Sequence, residues 1–79
     1  MCPGVKSVTP QDGYRLMLVF ENGERRIFNA SPLLSKGIFR ELSDETRFRD
    51  VRVSFDTVEW GNGADICPEE LYSESTPVE

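Results

Sequence analysis

Histidine is absent from this 79-residue chain, and cysteine occurs twice, as Cys2 and Cys67. Two thiols without an imidazole do not complete the four-ligand set of a structural zinc site, and catalytic zinc usually takes histidine as well, so no metal is expected. Each cysteine directly precedes a proline. A Cys2 to Cys67 disulfide is arithmetically possible, but in a reducing cytosol two free thiols are the expected state. Apolar runs are short. None approaches the roughly 20 residues of a membrane helix, and the opening MCPGVKSV has neither the basic start nor the apolar stretch of a signal peptide. The chain therefore reads as cytoplasmic, with no membrane partner. A Ser or Cys nucleophile motif and a phosphate-cradling glycine loop are missing too, so no catalytic residue and no cofactor is assigned and the chain reads as a non-enzyme.

Basic residues run out after Arg52. Met1 to Arg52 hold nine basic and seven acidic residues, whereas Val53 to Glu79 hold seven acidic residues and no basic one, which divides the net charge of −5 into +2 and −7. Such asymmetry fits either an oriented electrostatic face or a solubilising acidic tail. Arg25, Arg26, Arg40, Arg47, Arg49 and Arg52 make a loose basic population. With the overall charge negative and no reading motif, they are expected to pair with Glu41, Asp44, Glu45 and Asp50 rather than to bind nucleic acid directly.

Hydrophobic residues make up 38% of the chain, too many for a disordered segment. The length suits one domain, and a fold of this size is worth about 4–12 kcal/mol. Only SESTPVE has the small, polar character of a frayed end, so the folded part is placed at residues 5–72 and a frayed tail at 73–79.

The strongest local signal is YRLMLVFENGERRIF, two strand-like runs around Asn22-Gly23. A two-residue loop there sets Leu18 opposite Ile27 and Met17 opposite Phe28. Leu16 to Phe20 is apolar on both faces and predicts a central strand covered on two sides, for which a symmetric homodimer is the economical solution. VKSV reads as a short neighbouring strand. Ser31-Pro32 predicts a capped helical turn, Gly37 a left-handed stop, Ile38, Phe39 and Leu42 an apolar ridge, and Ser43 the cap of another turn with Phe48 pointing inward. VRVSFDTVEW predicts a second hairpin with Val51, Val53 and Phe55 on one face and a turn near Asp56-Thr57. After GNG, Pro68 with Glu69 and Glu70 starts a last helical turn. The expected fold class is α+β, a small antiparallel sheet built from two β-hairpins with short helical turns between them.

This order of elements, with SPLL, a glycine followed by F..L, and above all Trp60, Asn62, Gly63, Ala64, Asp65, Ile66, Pro68, Leu71 and Tyr72, resembles domain of unknown function 2442, a family of small bacterial proteins. The resemblance implies an α+β fold. It also implies a neighbouring small protein in an arrangement like a toxin–antitoxin pair. Gly61 stands where the family commonly has proline and Asn29 where aspartate is usual.

VEWGNGADICPEELY, residues 58–72, gathers one tryptophan, one cysteine and several carboxylates, and two readings of it stay open. In one it is a corner that seals the domain: Trp60 plugs the core, Glu69 and Glu70 favour the first turn of a helix, and Asp65 accepts backbone hydrogen bonds in a turn. In the other, Trp60, Asp65, Glu69, Glu70 and Tyr72 bind a partner. The function expected is a non-enzymatic protein-interaction module, the antitoxin-like or accessory member of a two-protein module, with a basic protein partner encoded nearby. A nucleic-acid-associated transcriptional regulator acting through a partner is the alternative, and a small enzyme is third.

Overall fold

A computed structural model describes residues 2–78. Three antiparallel strands come first: β1 (Val5–Gln11), β2 (Arg15–Phe20) and β3 (Arg25–Asn29). Two stretches of 3-10 helix, Ser31–Leu33 and Gly37–Ser43, lead to α1 (Glu45–Phe48), then to the hairpin β4 (Val51–Ser54) and β5 (Thr57–Trp60). The chain ends with α2 (Pro68–Glu74) and β6 (Thr76–Pro77). One sheet has the order β1-β2-β3-β6, β4 and β5 form a second, and the fold is α+β as its sequence implies.

β2 is central, and its pleat decides where the core lies. Leu16, Leu18 and Phe20 are buried on one face, where Phe28, Leu42, Phe48, Val58, Trp60, Ile66 and Leu71 close over them. Met17 and Val19 lie on the other face beside Ile27 and are only half-buried. All the helical cover is on one side, so the apolar second face of β2 receives none from the packed core.

The β2–β3 register corrects the expected one by a single residue. Met17 pairs with Ile27 and Leu18 with Arg26, because the loop has three residues, Glu21 to Gly23, not two. The Gly23 N–H donates to the Phe20 carbonyl at 2.9 Å, the Phe20 N–H donates to the Glu24 carbonyl at 2.9 Å, and Gly23 alone in the loop has positive φ, 91°. This is a type I turn closed by a left-handed glycine. The slip exchanges the faces of β3, so that Phe28 enters the core where Ile27 was expected.

Other local expectations shift in the same way. The cap of α1 is Asp44, whose carboxylate accepts from the Thr46 N–H at 3.0 Å, rather than Ser43. Ser31 caps nothing with its side chain; the Asn29 Oδ1 accepts from the Ser31 N–H at 3.1 Å, a bond an aspartate would also make. Gly37 is left-handed as expected, and Phe48 is buried. Ile38 is not part of a buried ridge, since it remains 46% exposed. The second hairpin turns at Phe55-Asp56, one residue early, and this takes Phe55 out of the strand to the tip of the loop.

The frayed tail expected over residues 73–79 is corrected as far as Val78, Glu79 lying outside the described residues. Thr76 pairs with Ile27 and Pro77 with Arg26, and Arg26 reaches Ser75 with two bonds, 2.6 Å to its Oγ and 2.7 Å to its carbonyl. Small polar residues mark a loose end only when nothing receives their backbone, and here the open edge of β3 does.

Candidate functional site

Residues 58–72 form the corner. Trp60 ends β5 fully buried, its indole N–H donates to the Phe48 carbonyl at 2.8 Å, and its ring meets Phe39 edge-on at 6.0 Å. A side chain with no exposed surface contacts no partner, so Trp60 leaves the set of candidate binding residues. The turn that follows repeats the chemistry of the first hairpin. The Gly63 N–H donates to the Trp60 carbonyl at 2.9 Å, the Trp60 N–H to the Ala64 carbonyl at 2.8 Å, and the Asn62 Oδ1 accepts from the Ala64 N–H at 3.0 Å. The Asn22 Oδ1 likewise accepts from the Glu24 N–H at 3.0 Å. Both turns are three-residue loops read X-Asn-Gly. Gly61, where proline is common in the family pattern, donates its N–H to the Asp50 carbonyl at 3.0 Å, and the Asp50 carboxylate fills the space a Cβ would need. The turn is thus fastened rather than loosened by this glycine.

Beyond the turn, Ala64 and Ile66 are buried, and Asp65 meets Glu59 in an isolated bridge while its side chain stays exposed. Glu69 and Glu70 occupy the first turn of α2, whose Leu71 is buried. Asp65, Glu69, Glu70 and Glu74 are all exposed, so the last segment presents its carboxylates to solvent while burying its apolar residues. Glu70 and Glu74 border an open groove of about 370 Å³ whose other walls are Phe28, Asn29, Pro32, Leu33 and Lys36. Among the described residues no three His, Cys, Asp or Glu side chains converge as a metal ion requires. Both cysteines are free.

Tyr72 is half-buried, and its hydroxyl serves the fold. It donates to the Glu24 carboxylate at 2.6 Å, the Asn22 amide donates to the same carboxylate at 2.6 Å, and the Arg26 guanidinium joins at 3.1 Å while stacking 4.5 Å above the Tyr72 ring. These bonds tie α2 to the first hairpin. The Tyr72 hydrogen bond, then those of Asn22 and Arg26, holds the Glu24 carboxyl below its ordinary value of 4.5. The same bond to Glu24, with some burial and the Glu24 charge, pushes the Tyr72 hydroxyl above its ordinary 10.0. A depressed carboxyl stabilises the fold above the unfolded value and loses that contribution as pH falls through the folded one; a raised phenol stabilises below the unfolded value and loses it as pH rises through the folded one. The contribution of this pair is therefore expected to be flat between about pH 5 and 9 and to fall on both sides. In Tyr72→Phe the alkaline fall attributable to this group disappears and the acid fall becomes smaller, because the Glu24 carboxyl returns toward its ordinary value, which urea midpoints across that range measure.

The basic residues are sorted by the pleat. Arg26 is on the core side and engaged, while Arg25 and Arg15 lie on the opposite face of the sheet, exposed, beside Met17, Val19 and Ile27. Arg47 pairs with Glu41, Arg49 with Asp12 and Arg52 with Glu59, only the first of these carboxylates being one expected from the sequence. Phe55 is the surface feature that the sequence assigned elsewhere. It is 98% exposed with φ 56°, and the only signal for it was that VSFDT admits a turn one residue earlier than the one assumed.

Among the described residues no helix is long and apolar enough to cross a membrane. No curated protein and no solved structure matches the chain. One family model does: that of a protein of unknown function, DUF2442, over residues 5–77 of the 79. The match takes in both X-Asn-Gly turns, the buried Trp60 and the Tyr72 tie, and the chain is a member of the DUF2442 family.

Proposed function

We propose that this chain works by binding another protein, without catalysis, as the antitoxin-like or accessory member of a two-protein bacterial module in the cytoplasm. The observation that carries the reading is the division of labour in the last segment: Trp60, Ile66 and Leu71 are buried, and Asp65, Glu69, Glu70 and Glu74 face solvent with no basic residue from Val53 onward. A one-signed face on a rigid corner favours a basic partner and fast encounter. The partner is the small protein encoded beside this chain.

The test is co-expression with that neighbour followed by kinetics on the purified pair. Association is expected to slow several-fold between 50 and 300 mM salt, over which screening shortens from roughly 14 to 6 Å. Changing Asp65, Glu69 and Glu70 to their amides should slow association more than it speeds dissociation. Fast association indifferent to salt overturns the steering role. The homodimer belongs to the same reading: Met17, Val19 and Ile27 offer a second copy an apolar surface, and sedimentation of the chain alone at micromolar concentration gives twice 9.0 kDa if that surface is used and 9.0 kDa if it is not.

A specific observation also favours the regulator reading. Arg15 and Arg25 share the open face of the sheet, and the strand residues on that face include no carboxylate. Salt-sensitive retardation of duplex DNA by the chain alone, weakened by Arg15→Gln and Arg25→Gln, replaces the protein-partner reading with that one.

A further inference from the structure

We propose that Phe55 is an anchor that seats in an apolar pocket of the partner protein, a pocket whose rim is basic. The proposal rests on the protein-binding reading above and names a contact which that reading does not include. Two observations carry it. Phe55 is 98% exposed at the tip of the two-residue loop between β4 and β5, so the fold gains nothing from its ring. Its backbone is left-handed, φ 56°, at the first loop position, where glycine fits most easily and a bulky residue is an outlier. Tyr14, the other described non-glycine residue with positive φ (60°), packs its ring on Phe48 within the fold, whereas the Phe55 ring packs on nothing. An aromatic ring kept against both solvent and backbone preference points to a use outside the chain.

The tip is also held still. The Val5 N–H donates to the Asp56 carbonyl at 3.2 Å, the Thr57 Oγ1 donates to the Ile66 carbonyl at 2.7 Å, and Ser54 pairs with Thr57 across the hairpin. These bonds fix the backbone of the tip, so covering the ring costs the freedom of its own side-chain torsions and not that of the loop.

The charges around it select the occupant. Asp56 adjoins Phe55 and is exposed. The Glu21 N–H donates to the Gly4 carbonyl at 2.8 Å, one residue from the Val5 bond, which brings the Glu21 loop to the same end; of the basic residues toward that end Lys6 is exposed, Arg25 lies on the opposite face of the sheet and Arg52 is held by Glu59. The Thr57 to Ile66 bond sets the acidic last segment beside the tip. An anionic lipid surface is repelled by this set. A second copy fits poorly too: the groove at Glu70, Glu74 and Lys36 and the groove at Asp50 and Arg47 both carry carboxylates, and the apolar patch beside Arg15 and Arg25, formed by Met17, Val19 and Ile27, is an open sheet face and not a pocket. A basic protein with an apolar pocket fits both the ring and the carboxylates.

The test uses the full chain and the product of the adjacent reading frame, purified as a complex. Phe55→Gly is expected to raise Kd at least 30-fold, chiefly through faster dissociation, while the urea midpoint of the free chain rises because the left-handed strain is relieved. Phe55→Asn, which also suits that backbone, should behave alike, and Phe55→Leu should recover most of the affinity. A complex that forms and ignores both Phe55→Gly and Phe55→Asn overturns the anchor and leaves the acidic face standing. A urea midpoint lowered by both variants makes Phe55 part of the fold and overturns it too. Binding to neutral or anionic phosphatidylcholine-based vesicles that Phe55→Gly abolishes, or a concentration-dependent self-association that it abolishes, overturns the protein pocket in favour of lipid or a second copy. If no complex forms with the adjacent product and a photoreactive phenylalanine analogue at position 55 gives no light-dependent protein adduct in cells, both the anchor and the reading beneath it fail.

Discussion

Trp60→Ala is expected to lower the urea midpoint more than any other single core truncation in this chain. Removing a fully buried aromatic costs about 3–5 kcal/mol through lost transfer energy and the cavity left behind, and a domain of this size has only about 4–12 kcal/mol in total. The loss is larger here than area alone implies. Trp60 packs on Phe39 and Phe48, closes the end of β5 and bonds the Phe48 carbonyl, so its removal loosens β5 and the end of α1 together and leaves a buried acceptor unpaired. Far-ultraviolet circular dichroism against urea measures it. Trp60→Phe, which keeps most of the apolar volume and loses only the indole N–H, should retain a cooperative transition at a lower midpoint. If Trp60→Ala kept its full melting temperature and lost only partner binding, the burial described above would be wrong.

The second large effect is expected at the two X-Asn-Gly turns. Gly23 and Gly63 have φ of 91° and 93°, and no atom lies within 4 Å of where a Cβ would stand at either. The obstacle to substitution is therefore backbone conformation and not space. A β-branched residue is strongly disfavoured at such angles, at a cost of about 1–3 kcal/mol. Gly23→Val and Gly63→Val should each lower the urea midpoint by a similar amount, because the loops share their hydrogen bonds and lack crowding. Gly23→Asn and Gly63→Asn should cost less, since asparagine tolerates the left-handed region. Equal midpoints for wild type and both valine variants would mean that the loops relax into another turn at no cost.

The two loops also show how far the chain could be read before its structure. Asn-Gly between apolar runs announced a hairpin at residues 16–28, and the family resemblance, carried mainly by residues 60–72, is what the family model bears out. The unbroken apolar run Leu16 to Phe20 placed β2 at the centre of the sheet, and Pro68 with Glu69 and Glu70 marked the start of α2. These features are local: they depend on dihedral preferences and on the period of the side chains, which a short window contains.

Register, caps and edges were not legible in that way. Asn-Gly is compatible with loops of two or three residues, and the choice between them moved Phe28 into the core in place of Ile27. The choice belongs to the core, since the pairing that buries Phe28 beside Leu16 is the one Leu42, Phe48 and Leu71 close over. The same holds for the tail. Ser75 to Pro77 looks like a loose end until β3 offers an unpaired edge and Arg26 offers two donors, and neither lies nearby in sequence. At Phe55 the period-two pattern assigned a strand residue on the face of Val51 and Val53. Pairing of Ser54 with Thr57, fixed by Val53 and Val58 meeting across the hairpin, turned it out into solvent. By itself the sequence determined the two hairpins to within a residue of their turns, the family, and the segregation of charge, because these are properties of neighbours along the chain. Which face of each strand is buried, where the last strand docks, and which aromatic is left outside were decided only by the tertiary structure, because each depends on burying the most apolar surface among elements that the chain brings together from a distance.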